Sequence, residues 1–371
     1  MDNTKNNTND TVSYNQVLLL LIGYRIMVGL TYMPSVNVPP GNQDIWIVSL
    51  LSIVYVLIFN IPLIYLSNKF SNLNLLELTE KIMGKVIGKL IGIFYFLTLL
   101  FINTLFVGIL IEILNSAIFP LSPTWFNTFI VILTSCYVSF KGLNTIARLV
   151  EVIVPVVMFI IFLLIVLGYK NYNFGELLPI LKDSTFKEIN IGAMEISLRY
   201  FDILVLTMVT PNLMVKKDLN RIFVKSILYS VPIIILLIIV TQMTLGVEFT
   251  KHVNFPFLTF TRMLSIGEIQ GFDSFYIVSW IMGNVLRVSG YLYFTSVSLG
   301  QITGKKNQIF IIPISTIMSI LIVLIKDRRS ILAVPEPIDT IVLMVSIISI
   351  VVIPSMTLVV YFFRRKTYLT K

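Results

Sequence analysis

Ionisable side chains set in apolar sequence are costly, at least ~2.5 kcal/mol each at the centre of a membrane helix, so each one asks for a chemical reason. Three stand out here. Arg25 lies in Gly23-Tyr24-Arg25-Ile26-Met27-Val28-Gly29, Asp202 in Phe201-Asp202-Ile203-Leu204-Val205, and Arg287 in Gly283-Asn284-Val285-Leu286-Arg287. Two cations and one anion leave a positive charge over. A guanidinium shielded from water suits a carboxylate, such as that of an amino acid. On this reading Asp202 balances one arginine while the other receives the ligand. Two structural readings compete: Arg25 extends its stem to the membrane interface, or Glu112 forms a second ion pair.

Spacing enlarges the set. Tyr291 follows Arg287 by one helical turn and Thr295 by two, so their hydroxyls share its face, although aromatic stripes often serve packing alone. Glu195, Arg199 and Asp202 at i, i+4 and i+7 also fall on one helical face. Arg148 and Glu151, at i and i+3, read as a mutual structural pair. Covalent chemistry has little material. The single Cys136 allows neither an internal disulfide nor a thiolate cluster, and the single His252 lies in a loop-like stretch. No catalytic residues, cofactor or metal site are expected, and an enzyme is the least favoured class.

The elements that hold these residues follow from composition. The chain has 371 residues, 56% hydrophobic and 13% charged, with a net charge of +9 and a mean hydropathy of +0.90. Soluble domains carry roughly 25% charged residues, so most of this chain must face lipid. Ten apolar segments are readable, near 14–34, 44–67, 90–118, 124–140, 147–168, 194–213, 222–246, 274–301, 307–325 and 340–363. At about 20 residues per crossing each is long enough, or nearly so, to span. The stretch 74–86 alternates leucines with Glu77, Glu80, Lys81 and Lys85 and reads as an amphipathic helix on the membrane surface. Trp46, Trp125 and Trp280 fall near span ends and read as interfacial anchors.

With the N terminus inside, seventeen Lys and Arg residues collect on the inner side, eight on the outer and three within spans. That bias sets both termini in the cytoplasm and makes the excess charge a matter of topology and attraction to the lipid bilayer. Nucleic acid is not needed as a partner. Ten spans divide as five and five: a tail at 1–12, a first repeat at 13–168, a connector at 169–193 and a second repeat at 194–371. An odd number of spans per half inverts the second half, and in such folds interrupted helices at matching positions mark the ligand site. Those positions are spans one and six. Gly23, Gly29 and Pro34 weaken the first; Glu195, Arg199 and Asp202 crowd the second. Close helix packing is the competing role for each glycine.

The order of several motifs is familiar. Gln16, a first span with Gly29 and Pro34, Asp44-Ile45-Trp46, Gly84-Lys85-Val86-Ile87-Gly88, Gly142 to Arg148 with Glu151 and Pro155, Leu177-Leu178-Pro179-Ile180-Leu181, Phe201-Asp202 with Pro211, and Phe255-Pro256-Phe257 follow one another along the chain. In this the chain resembles the B subunits of spore germinant receptors, the GerAB-like spore permeases of the amino acid–polyamine–organocation transporter superfamily. The resemblance implies an all-α membrane protein of ten transmembrane helices in a LeuT-like 5+5 inverted repeat, helices one and six interrupted. It implies a pocket for a small nutrient among spans one, three, six and eight, germinant receptor A and C subunits as partners, and the inner membrane of a bacterial spore as location. Asp202 stands where the family usually carries a glutamate, and Met27-Val28-Gly29 where a Gly-x-Gly break is expected. The residues expected to bind the ligand are Tyr24, Arg25, Gly29, Thr31, Glu112, Phe201, Asp202, Arg287, Tyr291 and Thr295. The leading function is nutrient sensing; a cation-coupled amino acid transporter is the alternative, and a water or ion conduit a third.

Overall fold

The computed structural model describes residues 11–32, 38–265, 268, 270–326 and 336–369. Among them no strand forms, apart from an isolated bridge between Val12 and Leu213. Helix α1 (Tyr14–Tyr32) opens on a reciprocal cap: the Ser13 N–H donates to Gln16 Oε1 at 2.9 Å, and the Gln16 N–H to Ser13 Oγ at 3.3 Å. Helices α2 (Ile45–Phe59) and α3 (Ile61–Lys69) form one rod bent by 44° at Asn60. Pro62 follows the bend and lacks the N–H that a straight helix would use. Next comes the short amphipathic α4 (Leu75–Met83), capped by Asn74 and Glu77. The long α5 (Lys85–Ile113) runs into a π-helical turn at Leu114–Ile118. Helices α6 (Thr124–Phe140) and α7 (Leu143–Leu167) complete the first half.

The second half begins with α8 (Phe186–Leu198), which stops at Arg199 before α9 (Asp202–Val209). It continues with α10 (Leu219–Leu245), two short helices, α11 (Val247–His252) and α12 (Pro256–Arg262), then α13 (Asp273–Thr303). The chain turns by 119° into α14 (Gln308–Lys326). Last come α15 (Glu336–Ser346), a π segment at Ile347–Val352 and α16 (Ile353–Leu369). That π segment precedes Pro354, where the regular ladder lacks a donor. Among the described residues five helices are long and apolar enough to cross a membrane, and up to seven if each bent pair counts as one span.

Helices α1 and α13 form the centre. α13 packs against α5, α6, α7, α14 and α1, and α1 also meets α10, α7 and α9. The outer helices turn large apolar side chains outward, among them Phe129, Phe159, Phe162, Ile312, Ile320 and Met356. A helical bundle wearing its apolar residues outside is built for lipid, where every backbone polar group must be satisfied internally. At one end Asp44 clasps the long connector: its carboxylate accepts the Leu181 N–H at 3.0 Å and the Ser184 hydroxyl, and Gln43 Nε2 donates to the Pro179 carbonyl at 2.7 Å. Two motifs far apart in sequence thus meet.

Three expectations are corrected. The break expected between Gly23 and Gly29 is absent, because α1 is continuous to Tyr32; Pro34 lies outside the described residues. Its glycines serve close packing instead. A Cβ on Gly23 would come within 2.6 Å of Val154 Cγ2, and one on Gly29 within 2.6 Å of Ile234 Cγ1. Span six begins at Phe186, eight residues before its expected start, because Thr185 and Glu188 form a capping box there. Trp280 is no interfacial anchor: it is buried, and its Nε1 donates to Thr31 Oγ1 at 3.1 Å. The amphipathic helix expected near 74–86 is present as the shorter α4, which ends at Met83 because Gly84 caps it and α5 begins at Lys85.

Candidate ligand site at the break between α8 and α9

The break is short and local. After Leu198 the chain tightens, the Arg199 N–H donating to the Ile196 carbonyl at 3.1 Å and the Phe201 N–H to the Arg199 carbonyl at 3.2 Å. Helix α9 restarts at Asp202, so a carboxylate stands in the first turn, where the helix dipole favours negative charge. The break also separates residues that an unbroken helix would place on one face. Arg199 turns away: its Nη2 lies 3.0 Å from Asp339 Oδ2 on α15 and 3.9 Å from Glu195 Oε2. Asp202 turns inward.

Asp202 forms an ion pair with Arg25 of α1, and the two side chains are 5% and 1% exposed, so water screens this pair little. The same guanidinium donates through Nη1 to Ser230 Oγ at 3.0 Å and Ser226 Oγ at 3.4 Å, one turn apart on α10. Its carbon lies 5.0 Å from the centre of the Tyr200 ring. Arg25 therefore fastens α1 to both α9 and α10. Phe201, between Tyr200 and Asp202 in sequence, is buried at the break itself.

A second cluster adjoins the first. The Arg287 guanidinium carbon lies 3.8 Å from the centre of the Phe106 ring, close enough for a cation–π contact between α13 and α5. Tyr291 meets the edge of Phe106 at 5.2 Å and stacks on Tyr24 at 5.6 Å. Tyr24, next to Arg25 in sequence, is thus the joint between the clusters. The Tyr24 hydroxyl rests against Gly290, where no Cβ would fit, and is buried with no hydrogen-bond partner among the described residues. The Tyr200 hydroxyl is buried facing Ser52. Beyond Tyr24, on the α7 side, lies a cavity of about 10 Å³, lined by Met27, Val150, Val154 and Leu286 among others. That is room for about one water molecule, and the lining offers it little to bond. The site is closed by its own side chains.

The remaining expected residues fall around this core. Thr31 donates to the Met27 carbonyl at 2.7 Å and accepts from Trp280, so its hydroxyl is engaged twice. Thr295 is fully buried and donates to the Tyr291 carbonyl at 2.7 Å. Glu112 is buried six residues beyond Phe106 on α5, about 9 Å along the helix. Gly29 faces Ile234 of α10. Glu151 accepts from Gln16 Nε2 at 3.2 Å rather than pairing with Arg148. Sequence reasoning passed over Tyr200, Phe106, Ser226 and Ser230. The two serines carried a signal, an i, i+4 polar pair on an otherwise apolar helix.

The architecture defines a class first: a multi-pass helical membrane protein with a LeuT-like fold. It superposes on the substrate-bound, outward-open structure of a Na+-coupled sialic acid symporter with a TM-score of 0.59, covering 90% of this chain and 78% of that one at 12% identity. Such low identity speaks for the fold alone. A family model described as "Spore germination protein" matches residues 11–331, and the chain belongs to that family. Among its relatives in Bacillus subtilis (strain 168) are spore germination protein YndE, 25% identical over 303 residues covering 78% of this chain and 81% of YndE, and spore germination protein KB, 21% identical over 300 residues covering 80% of each.

Proposed function

We propose that this chain is the membrane subunit of a spore germinant receptor, with both termini in the cytoplasm and the spore's inner membrane as its location. It binds a small nutrient, an amino acid, without chemical turnover, and hands the signal to A and C subunits. One observation carries the ligand class: a buried Arg25–Asp202 ion pair set where span six is discontinuous. A zwitterion matches both ends of that pair. Its carboxylate replaces Asp202 on the guanidinium and its ammonium replaces Arg25 on the carboxylate, so the exchange leaves no net charge in the low-dielectric interior. Tyr24, Tyr200 and Tyr291 supply hydroxyls around it, and Arg287 on Phe106 flanks it. Because side chains fill the site, binding favours a rearranged α8–α9 break over the closed one, and the ligand shifts that balance only by its differential affinity for the two forms.

The likeness to a Na+-coupled symporter keeps a second reading, a cation-coupled amino acid transporter. Two experiments separate them. Deleting the gene and scoring which nutrients still germinate dormant spores supports the sensor if one nutrient class fails. Sustained accumulation of labelled amino acid in vesicles containing only this chain overturns it.

A further inference from the structure

The Arg25 guanidinium meets a different neighbour on each side. Its carbon lies 5.0 Å from the centre of the Tyr200 ring. Nη1 is turned to α10, where it donates to Ser230 Oγ at 3.0 Å and Ser226 Oγ at 3.4 Å. Nη2 meets a single carboxylate oxygen, Asp202 Oδ2. The remaining donor, the Nε–H, is buried and has no acceptor among the described residues. On a side chain 1% exposed that is costly, because a buried donor keeps its full desolvation penalty until something accepts from it. The orphan is also well placed. The Nε–H and one Nη2–H run parallel along one edge of the planar group, a side-on fork that matches the two oxygens of a carboxylate. Asp202, in the first turn of α9, fills half of that fork.

We propose, on the reading that an amino acid takes over this ion pair, that its carboxylate docks side-on, one oxygen on the Nε–H and the other on the Nη2–H of Arg25, while Nη1 stays on Ser226 and Ser230. The exchange replaces a one-oxygen contact by a bidentate one and satisfies a donor that the closed form leaves buried and unmet. That gain supplies the differential affinity by which a ligand shifts the balance between two forms. The class of ligand follows. It carries a free carboxylate and a cationic amine. A primary amide offers one neutral acceptor oxygen and cannot fill the fork. A carboxylate without an amine fills the fork but strands Asp202. Positive charge alone does not suffice at position 25, since a lysine ammonium is a compact point charge without paired parallel donors.

Melting of the full chain in nanodiscs, with each standard amino acid supplied as the free acid and as its primary amide, tests this. The wild type should be stabilised by a free acid and not by the matching amide. Arg25→Lys keeps a cation for Asp202 and should melt closer to the wild type than Arg25→Met does. It should nevertheless bind that free acid at least about tenfold more weakly, the worth of one charge-assisted hydrogen bond. Nitrogen NMR of isotope-labelled arginine adds a readout that a merely structural role would not move. The Nε–H resonance of Arg25, identified by its absence from Arg25→Met, Asp202→Leu, should shift downfield when the free acid is added. Undiminished binding by Arg25→Lys, equal stabilisation by acid and amide, or an unmoved Nε–H resonance in the saturated wild type overturns the side-on fork. The underlying reading fails differently: either no free amino acid stabilises the wild type, or the response survives in Arg25→Met, Asp202→Leu, and the fork falls with it. Should Arg25→Lys not fold, the amide comparison and the resonance still decide the matter.

Discussion

Removing one member of the Arg25–Asp202 pair should cost far more than removing both. In Asp202→Ala the guanidinium of Arg25, 1% exposed, keeps Ser226 and Ser230 but loses its counter-charge. A buried charge stripped of its partner costs about 3–5 kcal/mol. At about 2–4 °C per kcal/mol for a large domain, the melting temperature should fall by roughly 10 °C. Arg25→Met should cost a similar amount, now leaving the carboxylate uncompensated. The double variant Arg25→Met, Asp202→Leu has no charge to strand. Ser226 and Ser230 also donate to the Phe223 and Ser226 carbonyls of their own helix at 2.7 and 2.6 Å, so losing Arg25 leaves them satisfied. Replacing a buried ion pair by apolar side chains is often neutral or stabilising, so the double variant should melt near the wild type. Thermal melting of the four proteins in nanodiscs is the assay. Single variants as stable as the wild type would show that the two groups do not meet. A double variant as unstable as the singles would refute the argument that stranded charge is the cost.

Gly290→Ala should be destabilised by about 1–3 kcal/mol, because its Cβ collides with the Tyr24 hydroxyl; adding Tyr24→Phe should recover much of the loss, as melting of the pair will show. Thr31→Val leaves the Trp280 Nε1–H buried without its acceptor and should lower stability by about 1–3 kcal/mol, whereas Thr31→Ser should be close to neutral in the same assay. Burial pushes the Glu77 carboxyl above the usual carboxylate range, against the opposing bond from Asn74. The folded chain therefore holds that proton more tightly than the unfolded one, and the penalty for charging Glu77 is absent below its unfolded value and complete above its folded one. Glu77→Gln keeps a capping acceptor and sheds the penalty, so its melting temperature should gain on the wild type as the pH rises above about 4, the unfolded carboxylate value; a constant difference would contradict this.

Local features were legible where a single segment decides them. The leucine spacing of 75–83 made α4 readable as an amphipathic helix, and the crowd of Glu195, Arg199 and Asp202 marked span six as the place to look. The break itself scattered what spacing had gathered: periodicity assumes an unbroken helix, so Arg199 was expected beside Asp202 rather than on Asp339. Pairings between distant segments were not readable. Arg25 and Asp202 are 177 positions apart, and nothing in either neighbourhood says which of two arginines the carboxylate will choose. Glycine was ambiguous for another reason. The missing side chain at Gly29 fits a helix break or a close neighbour equally well, and only Ile234 across the interface decides. Trp280 sits near the end of its helix like an anchor, but a buried acceptor on Thr31 draws it inward.

The most direct test of the account is ligand-dependent melting of the purified chain in nanodiscs against a panel of free amino acids. The wild type should be stabilised by one amino acid or a closely related group. That shift should vanish in Arg25→Met, Asp202→Leu, whose own stability is near normal. A shift of equal size in the Arg25→Met, Asp202→Leu variant would contradict the claim that the nutrient is held at this ion pair.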